Sequence, residues 1–285
     1  MLDEYLPAAL RGPATKITRI AAGLSGAGVY RVEAAGQTYV LKHAPGTPLA
    51  DWERRLAILQ SAAAAGVAPV VIHADATHRA VTSAFVADRG FAPFFFTARD
   101  AAVDLLGATL RRVHALPIPD GAPTADPRAQ LTELARDAPA LVQQAAQRVL
   151  AESPPAMQLV LSHNDVNPSN LIYDGERLLL LDWDVAAPND VHYDYAAIAV
   201  FLRMDEPTCL RLLAVPSLPP AFLYARRLVG ALCGAMFVRL AGSGSAEAIP
   251  LADVYQRMRA GTLNVASPEG QWLFGLGLAR ESLAL

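Results

Sequence analysis

Cysteine and charged residues are both scarce in this 285-residue sequence. Only two cysteines occur, Cys209 and Cys233, both in apolar segments with a helical pattern. We therefore expect free, buried thiols in a reducing compartment and no disulfide framework. Charged residues make up 18% of the chain and give a formal net charge of −3. This lack of a basic excess argues against general nucleic-acid binding.

Targeting and membrane-spanning segments are not evident either. Residues 1–12 carry acids where a secretory signal has bases, and they contain no long apolar run. The most apolar segment, 221–240, includes three arginines, so we predict a buried helix of a large domain and no membrane span. Together these features predict a cytoplasmic protein.

Hydrophobic residues are plentiful, at 53% of the sequence, enough for a sizeable core. The first 86 residues predict a small mixed lobe of five strands and one helix. β-rich runs separated by turn residues predict the strands at 16–22, 29–33, 37–42, 69–73 and 79–86. Apolar residues at helical spacing predict the helix at 51–65, which Gly66 ends.

The rest of the chain has a mostly helical pattern, without internal repeats. Helices are predicted at 101–116, 130–151, 191–202, 219–241, 251–259 and 270–284. Short strands are expected around residues 159–181. We therefore predict two domains, a small mixed N-terminal lobe at 1–86 and a larger, mostly helical C-terminal lobe at 87–285.

Three glycines, Gly23, Gly26 and Gly28, lie between the first two predicted strands. A β-rich segment follows them, so they do not form the strand-to-helix turn of a dinucleotide-binding fold. The backbone amides of such a hairpin could close over phosphates. The same glycines would equally suit an ordinary turn.

Acidic and amide side chains concentrate between residues 159 and 194. Asp165 follows a predicted strand, Asn170 comes five residues later, and Asp182 follows a run of leucines. Oxygen ligands of this kind suit Mg²⁺ and not zinc. Phosphoryl transfer needs a carboxylate for the acceptor hydroxyl, oxygen ligands for the metal and a lysine for the phosphates. Lys42, at the end of the third predicted strand, would supply the lysine.

The order of these motifs resembles the aminoglycoside phosphotransferase and choline kinase superfamily, the small-molecule branch of the protein-kinase-like fold. The likeness is carried by GLSGAGVYRV at 23–32, LK at 41–42, HNDVNPSN at 163–170 and LDWD at 181–184. It is similar above all to the choline/ethanolamine kinase branch. The resemblance implies an α+β, two-lobed fold. The small N-terminal lobe at 1–86 would bind the nucleotide and hold a five-stranded antiparallel sheet and one main helix. The larger C-terminal lobe at 87–285 would be mostly helical and would be the catalytic and acceptor-binding lobe.

The resemblance also implies a role for each matching residue. Asp165 would be the catalytic base, and Asn170 and Asp182 would bind Mg²⁺. Lys42 would hold the α- and β-phosphates of ATP and pair with Glu53, although the sequence alone equally allows Glu53 to be a solvent-facing acid near a helix start.

Five further residues are implied to bind the nucleotide. Ser25, Gly26 and Ala27 would cover the phosphates, while Ala84 and Val86 would offer backbone hydrogen bonds to the adenine. Ala84 stands where aminoglycoside enzymes commonly have a glutamate. This departure disfavours an aminoglycoside acceptor, as does the small number of acids in the C-terminal helices.

The remaining polar residues of this region have structural interpretations. His163, Asn167 and Ser169 would satisfy loop backbone, and Asp190 would cap a helix. Asp194 would either cap a helix or hold the catalytic loop in shape, and Asp184 would be an accessory acid. Several aromatic residues could form a cage for a quaternary ammonium group or belong to the core. They are Tyr224, Phe237, Tyr255, Trp272 and Phe274.

The expected activity is ATP- and Mg²⁺-dependent transfer of a phosphoryl group to a hydroxyl of a small-molecule acceptor. A choline- or ethanolamine-like acceptor is favoured, with an aminoglycoside, thiamine or another small alcohol as the alternative. A regulatory pseudokinase is an alternative of another class, which the presence of Lys42, Asp165, Asn170 and Asp182 disfavours. A protein kinase is disfavoured because no APE-like activation segment follows DWD. The oligomeric state is not predicted.

Overall fold

A computed structural model of the chain describes residues 2–20 and 27–285. The chain divides into two compact units. The first comprises Met1–Pro123 and Asp165–Pro188, and the second comprises Thr124–Asn164 and Asn189–Leu285.

The first unit contains the five-stranded sheet that the sequence predicts. All its strands pair antiparallel, in the order β1-β2-β3-β5-β4. The turn between β2 and β3 places Ala35 and Gly36 at φ 50° and 73°, the left-handed pair that tight hairpins favour. This turn fixes a register in which Lys42 lies opposite Val29. The strands are β1 Lys16–Arg19, β2 Gly28–Ala34, β3 Gln37–His43, β4 Val71–Asp75 and β5 Ala80–Ala84.

Three helices and a short hairpin complete the first unit. They are α1 Leu49–Ala64, α2 Phe91–Thr97, α3 Arg99–His114, and the paired strands β7 Leu171–Tyr173 and β8 Leu178–Leu180. Helix α1 matches the predicted helix and buries Trp52, Ile58 and Ala62. Helix α2 was not predicted, because seven residues are too few to show a helical period around Pro93.

The second unit is mostly helical. Its elements are α4 Pro127–Ala135, α5 Ala140–Ala151, β6 Leu159–Ser162, α6 His192–Phe201, α7 Glu206–Leu213, α8 Pro220–Ala241, α9 Leu251–Arg259 and α10 Pro268–Ala284; β9 Ala187–Asp190 crosses the boundary between the units. The prediction of a single helix at 130–151 is wrong. The segment forms two helices, α4 and α5, because Pro139 disfavours a helical conformation for the residue before it and has no backbone N–H to donate.

Helix α8 forms the centre of the second unit. It packs against α4, α5, α6 and α10. By length and composition it could cross a membrane, but 61% of its most apolar window is buried inside the protein, as in a core helix. The backbones of α8 and α10 approach so closely that a Cβ on Gly275 would lie 2.7 Å from the carbonyl oxygen of Gly234.

Candidate active site

The β7–β8 hairpin brings Asn170 and Asp182 to the same end of two paired strands. Leu171 pairs with Leu180, and one residue further Leu181 N donates to the Asn170 carbonyl at 2.8 Å. Asn170 therefore directly precedes one strand, and Asp182 follows Leu181 at the end of the other. Leu178, Leu179 and Leu180 are all buried, which anchors the hairpin in the core. One hairpin thus places the two predicted metal ligands side by side.

The carboxylate of Asp165 is held by two side-chain amides. Asn170 Nδ2 donates to Asp165 Oδ2 at 2.7 Å, and Asn167 Nδ2 donates to Asp165 Oδ1 at 2.9 Å. Asn167 also accepts from Ser169 N at 2.9 Å and so caps the 3-10 turn Pro168–Asn170. Sequence reasoning assigned Asn167 only to the turn and missed its contact with Asp165. Its position two residues from Asp165 was the only available signal.

Asp194 holds the backbone of the residues that precede Asp165. Its side chain is fully buried. Its Oδ2 accepts from His163 N at 2.8 Å and its Oδ1 from Asn164 N at 2.9 Å. A buried carboxylate is costly unless such hydrogen bonds compensate it. Of the two interpretations left open by the sequence, the geometry supports the one in which Asp194 holds the loop.

Two further features shape the same loop. Asn164 has a left-handed backbone, with φ 64°, and its Oδ1 accepts from Asn189 Nδ2 at 2.7 Å. Asp190 accepts from Gln158 N at 3.0 Å and from both the backbone and the ring nitrogen of His192 at 2.9 Å. Burial alone would raise the pKa of Asp190, but the hydrogen bonds from His192 and Gln158 outweigh it and lower that pKa. Asp190 is therefore a structural acid at the start of α6, as expected.

Lys42 pairs with two aspartates. Its Nζ lies 2.7 Å from Asp182 Oδ1 and 2.8 Å from Asp184 Oδ2. Asp182 has a left-handed backbone, with φ 61° and ψ 65°, and leads into the 3-10 turn Trp183–Val185. Trp183 is buried and donates from Nε1 to the Leu180 carbonyl at 3.0 Å, which anchors the turn between the two acids. The structure thus brings Lys42, Asp182 and Asp184 together.

Glu53 does not join this cluster. It is an exposed residue of α1, and among the residues that the structure describes no ion pair links it to Lys42. At 3.6 residues per turn, Glu53 lies roughly opposite the mean direction of Trp52, Ile58 and Ala62, which form the buried face of α1. The phase of the helix therefore directs Glu53 to solvent.

The residues predicted to bind phosphate and adenine are only partly described. Ser25 and Gly26 lie outside the described residues, and Ala27 is buried next to the first residue of β2. Ala84 N donates to the Val70 carbonyl at 2.8 Å, so its amide is used within the protein. Val86 lies two residues beyond the end of β5, and its N–H has no hydrogen-bond acceptor within the described part of the chain.

The donor set suits magnesium better than a transition metal. No group of three His, Cys, Asp or Glu side chains suited to hold a metal occurs in residues 2–20 and 27–285. Asn170 and Asp182 offer two oxygen ligands, the few that Mg²⁺ needs from a protein when phosphates complete its shell. The Asn170 amide nitrogen is used by Asp165, and its Oδ1 accepts no hydrogen bond from any described residue. The Asn170 side-chain oxygen can therefore bind a cation.

The aromatic residues considered for an ammonium cage pack mainly against one another and the backbone. Phe274 is 3% exposed and lies 4.9 Å from Phe237 and 5.6 Å from Tyr255, measured between ring centroids. Tyr255 donates to the Phe201 carbonyl at 2.7 Å, and burial raises its pKa. Trp272 donates to the Ala246 carbonyl at 2.9 Å. Phe274 and its neighbours therefore form a packed cluster.

Comparisons with known proteins identify the family. The model of the phosphotransferase enzyme family (APH) matches residues 16–215. No curated protein sequence matches the chain. Similar solved structures include a choline/ethanolamine kinase family protein from Mesorhizobium loti, with a TM-score of 0.62 and 18% identity over 96% of this chain and 94% of that one.

Two other solved structures show the same fold at low identity. The choline kinase LicA from Streptococcus pneumoniae has a TM-score of 0.67 and 14% identity, over 94% of this chain and 93% of that one. The spectinomycin phosphotransferase APH(9)-Ia, solved with ADP and spectinomycin, has a TM-score of 0.61 and 14% identity, over 95% and 93%. The predicted α+β, two-lobed kinase-like fold is confirmed, and the chain belongs to the phosphotransferase enzyme family.

Proposed function

We propose that this protein transfers the γ-phosphoryl group of ATP to a hydroxyl of a small molecule, in a reaction that depends on Mg²⁺. The observation that carries the proposal is the arrangement around Asp165 and the hairpin. Asn170 contacts the Asp165 carboxylate at 2.7 Å and shares its hairpin end with Asp182, which in turn pairs with Lys42 at 2.7 Å. A base, oxygen ligands and a phosphate-binding cation are the parts that phosphoryl transfer requires.

Asp165 is the proposed base. Each of its carboxylate oxygens accepts an amide hydrogen bond, one from Asn167 and one from Asn170. The two amides fix the carboxylate in one orientation, so that it orients the hydroxyl and takes its proton as the bond to phosphorus forms.

Asn170 and Asp182 are the proposed metal ligands. When bound there, Mg²⁺ would neutralise charge on the transferred phosphate. Lys42 would contact the α- and β-phosphates, since its ammonium lies at partly exposed carboxylates and has three N–H donors that can also bind phosphate oxygens.

The remaining nucleotide contacts are proposed from position. Ser25, Gly26 and Ala27 would cover the phosphates. The amide of Val86 is the better candidate for an adenine hydrogen bond, because the amide of Ala84 already donates to Val70. Residues 1–86 would form the nucleotide-binding lobe and residues 87–285 the catalytic and acceptor-binding lobe of a cytoplasmic enzyme.

A choline- or ethanolamine-like acceptor is favoured. HNDVNPSN and LDWD support this choice, and two of the similar structures are a choline kinase and a choline/ethanolamine kinase family protein. An aminoglycoside, thiamine or another small alcohol is the alternative, and a spectinomycin phosphotransferase is also similar. Against an aminoglycoside, Asp205, one of the few acids of the C-terminal helices, caps α7 through Thr208 N at 3.1 Å.

A screen of ATP consumption would test the function. The wild-type protein and D165N would be compared across amino alcohols, aminoglycosides, thiamine and sugars, with and without Mg²⁺. We expect Mg²⁺-dependent turnover with an amino alcohol, and a loss of at least about a hundredfold in D165N, while calorimetry shows that the variant still binds nucleotide. Turnover by D165N at the wild-type rate would contradict the assignment of the base. Nucleotide binding without turnover on any acceptor would favour the pseudokinase.

A further inference from the structure

Lys42 takes both of its carboxylate partners from one turn. Asp182 and Asp184 lie on either side of Trp183, and each contacts the ammonium within 2.8 Å. Their convergence follows from the left-handed backbone of Asp182 and the 3-10 turn after it. Because Trp183 is 4% exposed and hydrogen-bonded to Leu180, the turn holds both acids in a fixed place.

One carboxylate cannot easily serve the lysine and a metal ion together. In the proposed reaction Asp182 binds Mg²⁺, and a divalent cation on that carboxylate repels the lysine ammonium beside it. Lys42 then needs a second acid if it is to stay in position. Glu53 lies on the solvent side of α1 and forms no ion pair with Lys42 in the described chain, whereas Asp184 already lies 2.8 Å from the ammonium.

We propose that Asp184 is the positioning residue of Lys42, while Asp182 is left to the metal. This inference rests on the proposed function. Asp184 thereby takes the role that the sequence resemblance gave to Glu53. The side chains of Lys42, Asp182 and Asp184 are 27%, 33% and 28% exposed, partly desolvated but open to solvent, so that the lysine can keep Asp184 while its other N–H groups turn to phosphate.

Calorimetry with a non-hydrolysable ATP analogue at saturating Mg²⁺ tests the proposal. We expect D184N to weaken binding roughly tenfold, the order of one hydrogen bond between charged groups. D184E should restore part of the affinity, because it returns the charge. E53Q and the control D51N should stay within about twofold of wild type; Asp51 lies on the same helix and pairs with Arg54 at 2.8 Å.

A double-mutant cycle separates an action through Lys42 from a general effect. Asp184→Asn should weaken binding in the wild-type background and have almost no further effect once Lys42→Met has removed the ammonium. The Mg²⁺ concentration needed for half-maximal nucleotide binding should be unchanged by D184N and raised by D182N. Thermal melts of D184N and D184E show whether each variant is folded, and D184S replaces D184N should the latter not fold.

Three results would overturn the inference while the proposed function stands. They are wild-type affinity in D184N, an equal loss from D184N with and without Lys42, and a raised Mg²⁺ requirement in D184N, which would make Asp184 a metal ligand. A strong loss in E53Q without one in D184N would return the role to Glu53. Absence of nucleotide binding by the wild-type protein would refute the proposed function and the inference with it.

Discussion

Replacing Asp194 by asparagine isolates the contribution of one buried carboxylate to the loop before Asp165. The two oxygens of Asp194 accept the backbone N–H groups of His163 and Asn164 at 2.8 and 2.9 Å. An asparagine offers one acceptor oxygen and one NH₂ group, so one N–H must face another donor. The charge that strengthens both hydrogen bonds is also lost.

The expected loss of stability follows from these two effects. An unsatisfied buried donor costs about 1–3 kcal/mol, and a charge-assisted hydrogen bond exceeds a neutral one by about 1 kcal/mol. Together they predict a loss of about 3 kcal/mol in the free energy of unfolding. A loss of that size lowers the melting temperature by roughly 6–12 °C in a protein of this size. Locally, it would speed hydrogen exchange of the His163 and Asn164 amides by roughly a hundredfold.

The measurement combines thermal melting with hydrogen exchange resolved to residues 162–166. Asp126→Asn is the matched control, because Asp126 is an exposed cap that accepts one N–H, from Ala129 at 2.9 Å. Asparagine caps a helix as well as aspartate does, so this variant should melt within about 1 °C of wild type. If D194N had the melting temperature of the control and the His163 and Asn164 amides stayed protected from exchange, the claim that Asp194 holds the loop would be wrong.

Three further predictions concern the metal, the core and pH. Asp182→Ala should abolish Mg²⁺-dependent nucleotide binding, and unchanged affinity for Mg²⁺-ATP in calorimetry would refute its role as a ligand. Gly275→Ala should lower the free energy of unfolding in urea by about 1–3 kcal/mol, because the added Cβ would overlap the Gly234 carbonyl. Gly46→Ala is the control, since nothing lies within 4 Å of a Cβ there. Equal urea midpoints for the two variants would contradict the close packing of α8 and α10. Hydrogen bonds from Arg177 N and Glu176 N lower the pKa of Asp174 to about 2 from 3.8. The contribution of ionised Asp174 to stability is therefore complete above pH 3.8 and is lost as the pH falls towards 2. Asp174→Asn should reduce the change of melting temperature with pH in that window. If the melting temperature of the variant fell with pH as steeply as that of the wild type, Asp174 would not contribute.

The order of elements was predictable where local sequence decides it. A two-residue turn, Ala35 and Gly36, joins β2 to β3, and its short length places Lys42 opposite Val29. The run of leucines before Asp182 predicted a buried strand, and β8 is buried throughout. Patterns of this kind act within a few residues, so a single sequence contains all the information that they need.

Helix boundaries were predicted wrongly where a proline interrupts an otherwise continuous apolar pattern. The apolar pattern of 130–151 continues through Pro139, yet the chain forms α4 and α5. Helix α7 was also missed, although Asp205 caps it and Pro207 lies in its first turn. Eight residues give too short a pattern to distinguish a helix from a loop without its cap.

The sequence by itself determined which residues are present for phosphoryl transfer and in what order, since Lys42, Asp165, Asn170 and Asp182 are recognisable from motif and spacing. Only the tertiary structure decided how they are paired. Lys42 contacts Asp184 and not Glu53, because the phase of α1 and the left-handed backbone of Asp182 set the directions of these acids. Likewise, Asp194 reaches His163 across 31 residues of chain. A hydrogen bond depends on distance and direction in space, and over such separations neither can be read from the order of residues.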